Sequence, residues 1–231
     1  MAPQIRLGAR QITDLVQIRD LPPEVLSNLA ARLQAANPLR ADELLGEIKA
    51  ALGAEQTGVA DRIMRPLLGL QSMIRHKRIG PEEAVKAVRE ALQSADPKWT
   101  DAELRRWDAL EQDFQALISS PAVRRVSVTL ELTYEYENLL QSARIVTDIR
   151  PMFNEDVSAI EGAVISHTLR VRYDSAEGDH SLSLAMDQND IKDLQRQCER
   201  ALQKATAAQR LMTENAKVKT VISGAGDTDD A

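Results

Sequence analysis

The sequence is poor in the features that mark secreted or membrane proteins. A single cysteine, Cys198, occurs among 231 residues, which excludes an intrachain disulfide and fits a reducing compartment. No apolar run approaches the roughly 20 residues needed to span a bilayer. The first residues, MAPQIRLGARQ, contain no apolar signal-peptide core. We therefore expect a cytoplasmic protein with no membrane segment.

Aromatic residues are scarce, and acidic residues outnumber basic ones. Phe, Trp and Tyr make up 3% of the chain, so a core must be built mainly from Leu, Ile, Val and Ala. The formal net charge of −6 at pH 7 disfavours bulk electrostatic binding to nucleic acid. Hydrophobic residues at 43% and charged residues at 28% are typical of an ordinary globular protein.

Motifs that indicate catalysis or cofactor binding are missing from the sequence. The histidines His76, His167 and His180 lack the spacing of metal ligands, and no glycine-rich phosphate loop or G-x-S-x-G motif occurs. Cys198 lies on the apolar side of a predicted helix without a neighbouring cation, so we expect a buried, unreactive thiol. We therefore predict no catalytic residue, no cofactor and no metal, and interpret the chain as a protein that is not an enzyme.

Two charged clusters keep alternative functions open. Arg75-His76-Lys77-Arg78 is the one dense basic run, and it could let a helical domain contact nucleic acid as a regulator. Asp148, Glu155, Asp156 and Glu161 surround a predicted loop, and such carboxylates could bind a cation or serve acid–base chemistry. A solvated helix end and a solvated acidic loop are the simpler interpretations of these clusters.

Residues 1–120 are predicted to form a helical domain. Apolar residues recur at helical spacing in successive stretches between about residues 10 and 118. The Pro22-Pro23 and Gly80-Pro81 steps fit helix starts, where the missing proline N–H costs nothing. Thr100 and Glu103 match a capping box, in which each side chain accepts a hydrogen bond from the other residue's backbone N–H.

The hydrophobic period changes from helical to alternating after Ser119-Ser120-Pro121. Alternation of apolar and polar residues predicts strands with one apolar face. The turn at Asp174–Asp179 joins the last two as a hairpin, so an antiparallel sheet of three or four strands is expected. The predicted strands are residues 126–136, 144–149, 165–173 and 181–186.

One long helix is predicted to close the fold. Asp187 is a natural N-cap. Apolar residues then repeat at steps of three and four through Ile191, Leu194, Cys198 and Ala201, which keeps one seam facing a partner surface.

The fold class expected from these patterns is α+β. An all-helical bundle over residues 1–120 precedes a small antiparallel sheet and a long C-terminal helix over residues 121–215. Residues 216–231 are rich in Gly and Asp and are predicted to be disordered.

The C-terminal half resembles the COMM domain, an interaction module in which a short antiparallel meander precedes one long helix. Residues 167–205, HTLRVRYDSAEGDHSLSLAMDQNDIKDLQRQCERALQKA, carry the resemblance: two alternating strands around a charged turn, then a helix. The family tends to place a variable helical domain before this module, as residues 10–118 would be here. The resemblance implies self-pairing through a large interface of sheets and helices, with a second copy or a related COMM-like chain as the partner.

A non-catalytic interaction and oligomerisation module, acting as a scaffold or adaptor, is the function that the sequence favours. A small sheet has a face and two edges to cover, and one helix cannot cover all of them. Because an uncovered edge is a template for pairing, a second copy is the natural solution. The expected interface residues are Leu169, Val171, Leu182, Leu184, Ile191, Leu194, Cys198 and Ala201.

Overall fold

A computed structural model describes residues 5–53, 56–94 and 99–224. These residues form helices followed by an antiparallel sheet and a long helix, which confirms the α+β fold class. The chain divides into two compact units between Leu132 and Thr133, later than the predicted boundary at residue 120. We call them the helical unit, ending at Leu132, and the sheet unit, beginning at Thr133. No helix within the described ranges is long and apolar enough to cross a membrane.

The helical unit is built from eight α-helices within the described ranges and a short 3₁₀ turn at Thr57–Val59. Proline occupies the first helical turn where the sequence predicted it, at Pro23 and Pro81. The Thr100 hydroxyl accepts a hydrogen bond from the Glu103 N–H (3.3 Å), which confirms the capping box. The helices are α1 (Ala9–Arg19), α2 (Pro23–Ala35), α3 (Ala41–Leu52), α4 (Ala60–Lys77), α5 (Pro81–Gln93), α6 (Asp101–Ala109), α7 (Glu111–Ile118) and α8 (Pro121–Tyr134).

Aliphatic side chains with a small aromatic centre make up the core of the helical unit. Trp107 packs edge-on against Trp99 and Phe114, with ring centroids 5.8 and 4.8 Å away. The Arg19 guanidinium lies over the Trp99 ring and pairs with Glu103 at 2.6 Å. The largest fully buried side chains are Trp107, Phe114, Leu15, Ile18, Leu26, Leu29, Leu33, Leu44, Ile48, Ile63, Leu67 and Leu92.

The predicted strand over residues 126–136 is wrong, because most of that segment belongs to helix α8. Ala122, Val123 and Val126 are buried in the core, and their spacing is helical. Pro121 takes the first helical position, and the Ser120 hydroxyl accepts a hydrogen bond from the Val123 N–H (3.3 Å). Packing on one helical face therefore overrides the β-propensity of the alternating residues that follow.

The sheet unit consists of three antiparallel strands in the order β1-β2-β3 and one long helix. Asn154 closes the β1–β2 hairpin, its side-chain oxygen accepting hydrogen bonds from the backbone N–H groups of Ser158 (2.8 Å) and Ala159 (3.1 Å). Asp187 caps the final helix by accepting from the Asn189 and Asp190 N–H groups, as predicted. The elements are β1 (Asn138–Phe153), β2 (Ile160–Ser175), β3 (Gly178–Met186) and α9 (Gln188–Glu214).

The segment that follows α9 contains no helix or strand as far as Gly224. The chain turns there with Lys217 at φ 54°, and the Val218 N–H donates to the Met212 carbonyl (3.2 Å). Residues 225–231, the rest of the tail predicted to be disordered, lie outside the described residues.

Cutting the chain at two places tests whether α8 belongs to the helical unit. A fragment ending at residue 132 should unfold as a cooperative helical unit in a denaturant titration followed by circular dichroism. A fragment ending at residue 120 should be less stable by about 3 kcal/mol or more, because it lacks two buried valines worth roughly 1.5–3 kcal/mol each. Equal free energies of unfolding would contradict the assignment of α8 to this core.

Candidate functional site

Among the residues that the structure describes, the buried side chains all lie in the helical unit. Residues 133–224 are all described, and none of them is buried. The strongly exposed large apolar side chains of the described residues lie at or beyond Leu132. A contiguous exposed apolar surface of this kind marks an interaction site in a soluble protein.

The strand register places most of the apolar residues of the sheet on one face, whereas Leu139, Val146, Met152 and Val164 lie on the other. Leu169 on β2 lies between Ile145 on β1 and Leu184 on β3. The next row in the register joins Val171 to Leu182 on β3. We call this surface the apolar face. Its residues are Leu140, Ala143, Ile145, Ile149, Ile165, Leu169, Val171, Tyr173, Leu182 and Leu184.

The four predicted interface residues of the strands all lie on this apolar face. Leu182 and Leu184 are 46% and 45% exposed, while Leu169 and Val171 on the central strand are half-buried. Covering a leucine side chain fully would stabilise the protein by roughly 1.5–3 kcal/mol. Covering the apolar face would therefore be stabilising, and residues 133–224 do not bury it.

Helix α9 leaves its own apolar seam uncovered as well. Its main packing contact within the chain is with β3, the strand directly before it. Ile191 is half-buried, Leu194 is 38% exposed, and Ala201 is exposed. The prediction of a buried Cys198 is wrong, since the thiol is exposed. The predicted helix seam does not lie over the sheet of its own chain, and its role as an interface stays a prediction.

The opposite face of the sheet carries arginine and serine. Arg144 on β1 is directly opposite Arg170 on β2, and Arg172 follows two residues later on β2. We call this surface the arginine face and define it by Ser142, Arg144, Arg170, Arg172, Ser181 and Ser183, which line a shallow depression of about 430 Å³. The alternation of apolar and polar residues in the sequence predicts that Arg170 and Arg172 lie on a polar face. The pairing of Arg144 with Arg170 could not be predicted, because it depends on the register between β1 and β2.

Two carboxyl groups meet at the β2–β3 end of the sheet. Asp174 and Asp179 are directly opposite each other. The hydrogen bond that Asp174 makes with the Asp179 carboxyl raises the pKa of Asp174, and desolvation and repulsion act in the same direction. On the other face, Tyr173 stacks on His180 with ring centroids 5.4 Å apart. His180 Nε2 lies 2.9 Å from the Ser175 hydroxyl.

The acidic cluster around Asp148–Glu161 does not converge into a site. Asp148 lies within β1 opposite Ser166, whereas Glu155 and Asp156 lie in the hairpin turn. Across the described ranges, no group of three or more His, Cys, Asp or Glu residues could hold a metal ion. His167 lies on the apolar face, with its Nδ1 2.9 Å from the Thr147 hydroxyl.

Part of the basic run at Arg75–Arg78 is engaged within the helical unit. Arg75 pairs with Glu131 of α8 at 2.9 Å. His76 Nδ1 lies 2.8 Å from the Ser72 carbonyl oxygen. Arg78 is the C-cap of α4 in the left-handed conformation, with φ 54°. The run therefore lies at the C-terminal end of α4, and its Arg75 forms an ion pair that links α4 to α8.

No protein-family model matches the chain, and no curated protein shows significant similarity to it.

The Asp174–Asp179 pair makes the stability of the sheet unit depend on pH. Because the pKa of Asp174 is raised in the folded state, that state binds the proton more tightly than the unfolded chain does. The stabilisation of the folded sheet unit by this proton is complete below the ordinary aspartate pKa. It is lost as pH rises through the raised pKa of Asp174. Asp179→Asn should lower the pKa of Asp174, measured by NMR titration of its carboxyl carbon. Asp156→Asn in the hairpin turn should not, and an unchanged Asp174 titration in Asp179→Asn would contradict the pairing.

Proposed function

We propose that this chain is a non-catalytic protein–protein interaction and oligomerisation protein, a scaffold or adaptor that works in the cytoplasm. Its sheet unit pairs with a second copy or with a related COMM-like chain. The observation that carries the proposal is the absence of any buried residue from position 133 to 224, all of which are described. A small sheet needs its apolar face covered to be stable in water.

A second copy supplies the surface that each chain lacks. The sheet unit exposes an apolar sheet face and a separate apolar helix seam. Two copies related by a two-fold axis can place each seam on the other copy's sheet, so that both surfaces are covered in one self-complementary contact. The COMM-like order of meander and helix supports the same arrangement.

The size of the available surface suits a stable dimer. Three strands at their usual spacing and a stretch of nine residues give a face of roughly 14 by 30 Å, or about 400 Å². A helix of the length of α9 is about 40 Å long and about 10 Å wide, which adds a similar area. Together they approach the ~800 Å² that each partner contributes to a standard stable interface.

The exposed strand edges are a less favourable contact surface than the apolar face. β1 and β3 are the edge strands of the sheet, and each presents unpaired backbone groups along its outer side. Pro151 lies in β1, and such edge prolines limit continued strand pairing because they cannot donate a hydrogen bond. The sheet therefore favours association through its apolar face over open-ended addition of strands.

Substitution of Leu182 tests the proposal. Light scattering of the native chain should give a mass of at least two copies of the 25.6 kDa protein. Leu182→Asp should abolish association, because an unpaired ion in an apolar interface costs several kcal/mol. The helical unit should keep its circular dichroism signal.

Ser183→Asp is the matched control, because Ser183 is the next residue along β3 and lies on the arginine face. It should leave the mass unchanged. A monomeric native chain, or a Leu182→Asp protein that still associates, would refute self-association through this face.

A further inference from the structure

Two arginines of the sheet lack the ion pairs that several arginines of the helical unit make. In the helical unit, Arg89 lies 2.6 Å from Asp108 and Arg65 lies 3.0 Å from Asp14. Arg144 and Arg170, by contrast, make no ion pair or side-chain hydrogen bond with any residue that the structure describes. The sheet thus holds cations that the chain leaves uncompensated.

The strand register brings two of these arginines together, which destabilises the isolated sheet. Arg144 and Arg170 are directly opposite each other on adjacent strands, and like charges at such positions destabilise a sheet. Asp174 interacts electrostatically with Arg172. An anion bound across the arginines would remove the repulsion.

The neighbours of the arginines leave the guanidiniums accessible. Arg172 lies between Ser142 and Ser181, and Ser183 is opposite Arg170. These short hydroxyl side chains and the arginines are all exposed. The result is a shallow, open depression of about 430 Å³ with hydroxyl donors beside the cations.

We infer that the arginine face binds an extended acidic protein segment with Asp or Glu at every second position. In an extended chain, alternate side chains point to the same side and lie about 6.8 Å apart. Arg170 and Arg172 are separated by the same two-residue step along β2. Guanidinium groups bind carboxylates through two parallel hydrogen bonds, and the three strands contain four arginines and no lysine.

Nucleic acid fits this face less well than an acidic peptide does. The three strands are described in full, and none of their aromatic residues lies on the arginine face, whereas single-stranded nucleic acids are bound by stacking on aromatic rings. On the arginine face, Asp148 separates Arg144 from Arg150 along β1, and Asp174 and Asp179 lie at the other end, beyond Arg172. These carboxyl groups repel a long polyanion and leave room for a short acidic segment.

The inference does not depend on the proposed self-association. The arginine face and the apolar face are opposite sides of the same strands. A dimer built through the apolar face leaves the arginines free to bind.

Fluorescence anisotropy with two labelled peptides tests the inference on the full chain. One peptide alternates Glu and Ser over twelve positions, and the other has the same composition with the six Glu residues in one block. The alternating peptide should bind at least about tenfold more tightly, because it alone places its charges in register with the arginines. Arg170→Glu combined with Arg172→Glu should weaken its binding by about tenfold or more.

Arg105→Glu reverses one charge at an exposed position of α6 and should alter the affinity by less than about twofold, because Arg105 is not part of the arginine face and exposed charges are screened by salt. Light scattering of each variant separates loss of the peptide from loss of self-association. If the double variant fails to fold, Ser183→Asp takes its place: it should keep the native mass and bind the peptide at least about tenfold more weakly, since its carboxylate competes for Arg170.

Equal affinity for the two peptides would overturn the inference, and so would tighter binding of a twelve-nucleotide single-stranded oligothymidylate. Unchanged binding in the arginine variants would overturn it as well.

Discussion

The stability of this protein depends on burying apolar side chains away from water. Only one of its two units, the helical unit, buries them within the described residues. The helical unit encloses Trp107, Phe114 and a set of aliphatic side chains with almost no exposure. The sheet unit has comparable apolar material in its strands and in α9, yet buries none of it. Because α9 extends from β3 without lying over the sheet, the apolar face and the helix seam remain open together. The proposed pairing with a second copy follows from this unmet requirement.

Strand alternation lets one small sheet present two unlike surfaces. Leu169 and Val171 point to the apolar face, while Arg170 and Arg172, their neighbours along β2, point to the other side. The first surface favours a partner that excludes water, and the second favours an anion that satisfies guanidinium groups. Under the two proposals, the chain pairs with a second copy and binds an acidic segment in the same assembly, because the two surfaces are opposite sides of the same strands. Such a combination suits a scaffold or adaptor.

Local patterns predicted much of the fold, and the failures have one physical cause. The caps at Thr100 and Asp187 and the β2–β3 hairpin were found because each depends on neighbouring residues. The segment after Pro121 and the exposure of Cys198 were missed because both depend on distant packing: α8 is held by the helical core, and α9 lies away from its own sheet. The strand interface residues were placed on one face correctly by period alone. The arginine pair was missed because Arg144 and Arg170 meet through the strand register.

Hydrogen exchange at two protein concentrations tests the central claim most directly. If a second copy completes the sheet unit, the amides of β2 should exchange more slowly as concentration rises, because association stabilises the folded form by mass action. The buried helices of the helical unit, α2 and α4 among them, should exchange at the same rate at both concentrations. Protection of β2 that is strong and independent of concentration, in a chain that stays monomeric, would contradict the claim that the sheet unit needs a partner.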